Sequence, residues 1–193
     1  FVKTYGADLP IYALPHTIEM IKGREGSAWR SLMERWTNQS TVGTEIVAPN
    51  RSVAHGQRLR IGGLTFVMHH HGTAHTPSDL CVQVVEDGLT HVGDIAMDNR
   101  IANIDDGSYP GTLAYYDKLQ RAIGASQLWV PGHGPASRDL LLRYGTFLRG
   151  IWDNCLQAVK DQKSESQARA MVMADPRVTA RAGRPSPSPW PGT

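Results

Sequence analysis

The sequence predicts an α/β fold in which helices cover mixed or antiparallel sheets, and three observations carry that prediction. The apolar period changes from helical to two at Arg58, two successive hairpin signals follow, and the helical period returns from Ser108 with one short apolar strand inside it. The chain has 193 residues, of which 40% are hydrophobic, enough to bury a core of its own. Its 20 Lys and Arg are interspersed with 18 Asp and Glu, leaving a formal charge of +2. No basic stripe or acidic tail is present, so nucleic acid and polyanions are disfavoured as partners. No apolar run approaches the length of a membrane span and no leader pattern is visible, so a soluble chain is expected. Its compartment, cytoplasmic or periplasmic, and its oligomeric state are left open. Cys81 and Cys155 lie far apart and form neither a metal-binding pair nor a disulfide framework.

The elements follow in order. A short strand is predicted over 9–13, and Pro15 precedes a helix over 16–22 that Gly23 stops. Residues 26–36 repeat the helical pattern, with Trp29, Leu32, Met33 and Trp36 at spacings of three and four, so 26–43 reads as a helical insertion or lid. Leu59 and Ile61 alternate with Arg58 and Arg60, Gly62-Gly63 supplies a turn, and Leu64, Phe66 and Met68 alternate with Thr65, Val67 and His69. A second hairpin is predicted from 80–86 through a two-residue Asp87-Gly88 turn to 89–92. Pro110 opens a helix whose face is Leu113, Tyr116, Leu119 and Ile123, and Gly124 closes it. Residues 127–130 form a buried strand leading into Pro131-Gly132-His133-Gly134-Pro135. Ser137 is read as the N-cap of the longest helix, with an apolar face of Leu140, Leu141, Tyr144, Phe147, Ile151, Trp152, Cys155 and Val159 packed on the sheet. A weaker helix spans 166–174 and ends near Pro176. The Pro- and Ser-rich stretch 183–193 is expected to be disordered, so the folded part is placed at 1–182.

Three positions share one property: His75 in Gly-Thr-Ala-His-Thr-Pro, Asp94 in Val-Gly-Asp, and His133 in Val-Pro-Gly-His-Gly-Pro each follow a strand in a turn rich in Gly, Pro or Thr. Side chains leaving several strand ends at one sheet edge converge, and loops there carry function. Two imidazoles and a carboxylate are donors suited to zinc, with iron or manganese also accepted. Any one of them alone would read as an ordinary turn residue, but the three together favour a metal site.

The ordered set of His-Thr-Pro, Gly-Asp and Pro-Gly-His-Gly resembles the metallo-β-lactamase superfamily of metallohydrolases, over about 58–135. The stretch from Asp94 to Tyr109 is similar to branches associated with hydroxyacylglutathione hydrolases and with quinoprotein- or sulfur-oxidation-linked metallohydrolases. The resemblance implies an αββα sandwich in which His75 binds one zinc ion, His133 a second, and Asp94, the catalytic carboxylate, bridges the two. It implies hydrolysis of an ester, thioester or lactam-type bond of a small-molecule substrate through a metal-activated hydroxide, with no nucleic-acid or membrane partner.

The sequence also departs from that pattern, because the family's upstream His-x-His-x-Asp-His motif is not present. His69-His70-His71 cannot replace it, since neighbours on a strand point to opposite faces. The segment Phe1 to Ala13, with Tyr5-Gly6-Ala7 and Pro10-Ile11-Tyr12-Ala13, looks like the stretch that follows that motif, so the chain is expected to begin just downstream of half the active site, as a sandwich incomplete on its N-terminal side. With three ligands it is expected to bind zinc weakly and to have no appreciable hydrolase activity. The rival expectation is a non-catalytic remnant or binding module that keeps the fold without a complete metal site.

Several residues carry two readings. His71, and less so His70, either faces the pocket as a substrate contact or ligand support or is an ordinary strand histidine. Asp105 and Asp106 precede a helix N-terminus, where capping is the default and support of the ligands the sharper reading. Asp79 is read as capping or orienting the loop that holds His75. His16, His55 and His91 are read as surface or structural, Trp29, Met33 and Trp36 as core, and Cys81 as core rather than nucleophile.

Overall fold

The structure is a computed structural model that describes residues 2–98, 100–124 and 127–182. The expected disordered tail, 183–193, lies outside the described residues. The chain divides into two compact units, Phe1–Gln57 and Arg58–Thr193, and each is taken by itself.

The first unit begins with one helical turn, α1 (Val2–Tyr5), and a two-residue strand, β1 (Tyr12–Ala13), shorter than the sequence predicts. Two helices follow, α2 (Pro15–Lys22) and α3 (Arg24–Trp36), with Gly23 as the single residue between them. Pro15 occupies the first turn of α2, where its missing N–H has no partner to lose. A second short strand, β2 (Arg51–Ser52), runs parallel to β1. It has no sequence signature, because the Asn50 side chain makes the junction: its Oδ1 accepts from the Ile11 N–H at 2.9 Å and its Nδ2 donates to the Leu9 carbonyl at 3.0 Å.

The core assignment for α3 is corrected. Trp29, Met33 and Trp36 are 56%, 39% and 69% exposed, and α3 buries no residue. Charged residues interrupt its apolar positions, and Trp29 and Met33 instead line an open groove of about 290 Å³ with Gly26, Thr41, Thr44 and Ile46. Trp29 and Trp36 meet edge to face at 6.4 Å.

The second unit is built on a five-stranded sheet in the order β3 (Arg58–Ile61), β4 (Leu64–His69), β5 (Cys81–Val84), β6 (Leu89–Gly93), β7 (Leu128–Pro131). The first four strands form an antiparallel meander, and β7 joins β6 in parallel after α4 (Tyr109–Ile123). The first hairpin is as predicted, with Ile61 opposite Leu64 across Gly62-Gly63.

The second hairpin differs. Val84 pairs with Leu89, so the loop holds four residues rather than two. Glu86 explains it: its carboxylate accepts from the Thr65 backbone N–H and hydroxyl, both at 2.7 Å, and this pulls the loop onto β4. The same bonds hold the Glu86 carboxyl below the usual carboxylate range.

Ser108 caps α4, its hydroxyl accepting from the Gly111 N–H, and Gly124 closes the helix. Its buried face is Thr112, Tyr115, Tyr116 and Leu119, one position away from the predicted stripe at Tyr115. The longest helix, α5 (Leu140–Lys160), has Asp139 at its N-cap, so the Ser137 cap is corrected. Ser137 is held back in an isolated bridge with Trp129, its backbone exchanging bonds with that strand residue at 3.1 Å in each direction.

Leu140, Leu141, Tyr144, Phe147 and Leu148 of α5 are buried, whereas Val159 is 76% exposed and Ala158 takes the inward position. The last two helices, α6 (Glu165–Ala174) and α7 (Pro176–Ala182), pack on α5; α7 was not foreseen, because Pro176 opens it rather than ending the structure. One continuous core joins Cys81, Val92 and Trp129 of the sheet to Ile95, Ala96 and Met97 of the loop after β6, and to α4, α5 and Val178 of α7. Removing the large apolar side chains among these from water contributes about 1.5–3 kcal/mol each. Among the described residues no helix is long and apolar enough to cross a membrane.

Candidate metal centre

The three residues singled out at strand ends meet in the second unit. His75 Nε2 lies 3.8 Å from Asp94 Oδ2, and His133 Nε2 lies 3.7 Å from Asp94 Oδ1. Each imidazole therefore faces a different oxygen of one carboxylate. Both separations exceed hydrogen-bonding distance. Two donors each about 2.1 Å from one ion lie roughly 3.4 Å apart at the tetrahedral angle. The pairs thus stand at a spacing an ion could close with small movements.

His75 sits in the loop between β4 and β5, which is closed on itself by Asp79. That carboxylate accepts from the Thr76 N–H at 2.8 Å and from the Thr76 hydroxyl at 2.9 Å, so Asp79 orients the loop as the sequence suggests. The Ala74 carbonyl accepts from the Ser108 N–H at 2.8 Å, tying the loop to the start of α4. Beneath it, the Tyr115 hydroxyl donates to the His69 carbonyl at 2.7 Å. Burial raises the Tyr115 phenol well above its ordinary range, so it stays a protonated donor.

Asp94 follows the irregular end of β6, where the register with β7 shifts between His91 and Gly93. The Gly132 N–H donates to the Gly93 carbonyl at 2.8 Å, which brings the loops after β6 and β7 together. A Cβ on Gly132 would collide with Asp94 Oδ1. This close approach is why glycine precedes His133.

The His75 Nδ1 is buried and has no hydrogen-bond partner among the described residues, and its Nε2, the nitrogen that would take an ion shared with Asp94, faces the carboxylate. The side chains of His75, Asp94 and His133 are 22%, 37% and 46% exposed, so a ligand and water can reach them. Arg100 Nη1 lies 3.3 Å from His133 Nδ1. A guanidinium only donates, so this contact leaves the imidazole proton on Nε2. An ion taking the Nε2 lone pair requires the other tautomer and the withdrawal of Arg100, an exposed side chain.

The remaining candidates are placed elsewhere. His71 sets its ring edge-on to Tyr115 at 5.1 Å, and His70 Nδ1 meets the Asp79 carbonyl at 2.8 Å. Asp105 and Asp106 are exposed and do not cap α4; Ser108 takes that role, and Asp105 pairs with Asn103 at 3.0 Å. Cys81 is fully buried, and its thiol is pushed up to about 12 by that burial, which agrees with a core role. The sequence reading missed Asp98 and Arg143, which form a bidentate pair behind His133. Asp98 lies four residues after Asp94 and Arg143 four after Asp139, but spacing alone does not join residues 45 apart.

The fold is that of the metallo-β-lactamases. A metallo-β-lactamase from Pontibacter korlensis superposes with a TM-score of 0.56 and 17% identity, over 77% of this chain and 60% of the other. BLEG-1, a B3 metallo-β-lactamase, gives 0.57 and 19%, over 76% of this chain and 68% of that one. A protein crystallised in a di-iron-bound form gives 0.52 and 22%, over 74% and 66%. The match therefore spans about 60% of the length of the Pontibacter enzyme. No protein-family model matches the sequence, and no curated protein does.

Proposed function

We propose that this chain belongs to the metallo-β-lactamase superfamily and is a metal-dependent hydrolase of an ester, thioester or lactam-type bond. The observation that carries the reading is the convergence of His75, Asp94 and His133 at one edge of a metallo-β-lactamase fold, with one imidazole on each carboxylate oxygen. His75 and His133 would each hold one ion, and Asp94 would bridge them. Zinc suits these donors, and iron, the metal in one structural neighbour, is an alternative with manganese. Bound divalent ions supply Lewis-acid polarisation and lower the pKa of water.

The protein's own part is to hold donors in place. Asp94 turns one carboxylate oxygen toward each imidazole. Asp79 and Ser108 hold the His75 loop, and the Gly132–Gly93 bond holds the His133 loop beside it. Partial exposure of all three side chains lets a substrate carbonyl approach from solvent. These three residues would give each ion two donor atoms, fewer than the four of a stable zinc site. With them alone as ligands, weak zinc binding and slow turnover are expected.

Titration of the full chain with zinc, iron(II) and manganese, beside a panel of ester, thioester and lactam substrates, tests the reading. Asp94→Ala should abolish metal binding, and His75→Ala and His133→Ala should each weaken it. Metal content and turnover unchanged in Asp94→Ala and His133→Ala would overturn the assignment.

A further inference from the structure

Behind His133 lies a polar cluster that donates nothing to the candidate metal positions. Asp98 is buried, its side chain 8% exposed, and follows the buried residues Ile95, Ala96 and Met97. Its carboxylate receives both ends of the Arg143 guanidinium, Nη1 to Oδ1 at 2.9 Å and Nη2 to Oδ2 at 3.1 Å. Arg143 also donates from Nε to Asp139 at 2.9 Å and from Nη2 to the Ser137 hydroxyl at 3.0 Å. The Asp98 carboxylate, with help from Asp139, raises the guanidinium pKa above even its ordinary range, so Arg143 stays charged.

A buried ion pair is weak as a source of net stability, because desolvation offsets most of the attraction. A bidentate pair does fix geometry, however. What it fixes here is the backbone of residue 98, whose N–H donates to the His133 carbonyl at 2.9 Å. The contact is close on the other side too: a Cβ on Gly134 would stand 2.6 Å from the Asp98 carbonyl oxygen and 2.8 Å from its Cβ. Asp98 ends the five-residue segment that begins at Asp94, and the carbonyl of Ile95, its second residue, accepts from the Tyr116 hydroxyl. Asp94 and His133 are thus the two ends of one braced unit, with Arg143 spanning from Asp98 to Ser137 beyond β7.

We propose that Asp98 and Arg143 are positioning residues that hold His133 against Asp94, acting through the Asp98 N–H to His133 carbonyl bond. The proposal rests on the reading of His133 as a metal ligand. Loss of the pair lets the loop after β7 relax and spoils one imidazole–carboxylate spacing while the other, at His75, is kept.

Long-range ¹H–¹⁵N spectra of the imidazoles in the full, metal-free chain test it, with cobalt(II) affinity as a second readout. In Arg143→Ala and Asp98→Asn the His133 ring resonances should shift or broaden and those of His75 should stay; cobalt(II) affinity should fall about ten- to hundredfold. Arg143→Lys should restore part of both effects. A merely structural role would lower the unfolding midpoint without separating His133 from His75. If Arg143→Ala does not fold, Arg143→Lys and Asp98→Asn carry the same comparison. Identical His133 resonances in folded variants and wild type would overturn the proposal. A wild type that binds no cobalt(II) would overturn the functional reading instead, and the metal-free spectra would still decide the positioning role.

Discussion

Residues 58–182 and residues 2–57 use apolar side chains in opposite ways. In the second unit Trp129, Tyr115, Tyr116, Tyr144 and Leu148 are each 2% exposed or less and belong to one continuous core. In the first unit the large side chains of α3 are turned outward, and Ala13, Leu14 and Val53 supply the buried apolar groups. The comparison teaches that apolar spacing of three and four reports a helix, not its burial. Both α3 and α5 carry that spacing, and what separates them is whether further elements close over the stripe. It also locates the chemistry: the candidate ligands stand on loops anchored in the well-packed unit, where a rigid base can keep their spacing.

The largest effect that sharpens this contrast is expected in the core. Trp129→Ala removes a side chain 1% exposed and should cost about 3–5 kcal/mol in urea denaturation. A loss as small as that of a surface change would break the assignment of a single packed core. Next comes Gly132→Ala, whose added methyl displaces the Asp94 carboxylate. Metal affinity should fall at least about tenfold, measured by competition with a chelator, an effect of the size seen when ligand geometry is disturbed.

A smaller effect concerns acid stability of the α5–α7 packing. Arg177, with help from Asn154, holds the Asp175 carboxyl down to about 2. A carboxylate depressed in the folded state adds stability above its unfolded value near about 4, and that stability is lost as pH falls through the folded value. Between about pH 4 and pH 2 the wild type should therefore lose stability that Asp175→Asn lacks, seen as a flatter dependence of the variant's melting temperature on pH. The smallest effect closes the comparison. Trp36→Ala on the exposed face of α3 should change stability by no more than about 0.5 kcal/mol, again by urea denaturation. A cost near that of Trp129→Ala would mean that the two units are not packed differently.

Much of the second unit was legible in the sequence because its signals are local. The Gly62-Gly63 turn, the Gly124 end of α4 and the strand before Pro131 each follow from neighbouring residues. The three candidate ligands were legible for the same reason, each marked by the turn that follows its strand. What was not legible depends on contacts distant in sequence. Glu86 lengthens its hairpin loop by reaching Thr65, and Asn50 makes β2 by reaching Leu9 and Ile11. Ser137 is drawn into a bridge with Trp129 and so leaves the cap of α5 to Asp139. The Asp98–Arg143 pair stayed hidden on the same ground, although it lies against the loop of a residue the sequence singled out.

Calorimetric titration of zinc into the full chain and into Asp94→Ala tests the central claim most directly. The wild type should bind zinc weakly but measurably, Asp94→Ala should abolish the heat of binding, and the variant's unfolding midpoint should stay close to the wild type's because the side chain is partly exposed. Equal zinc affinity in wild type and Asp94→Ala would contradict it.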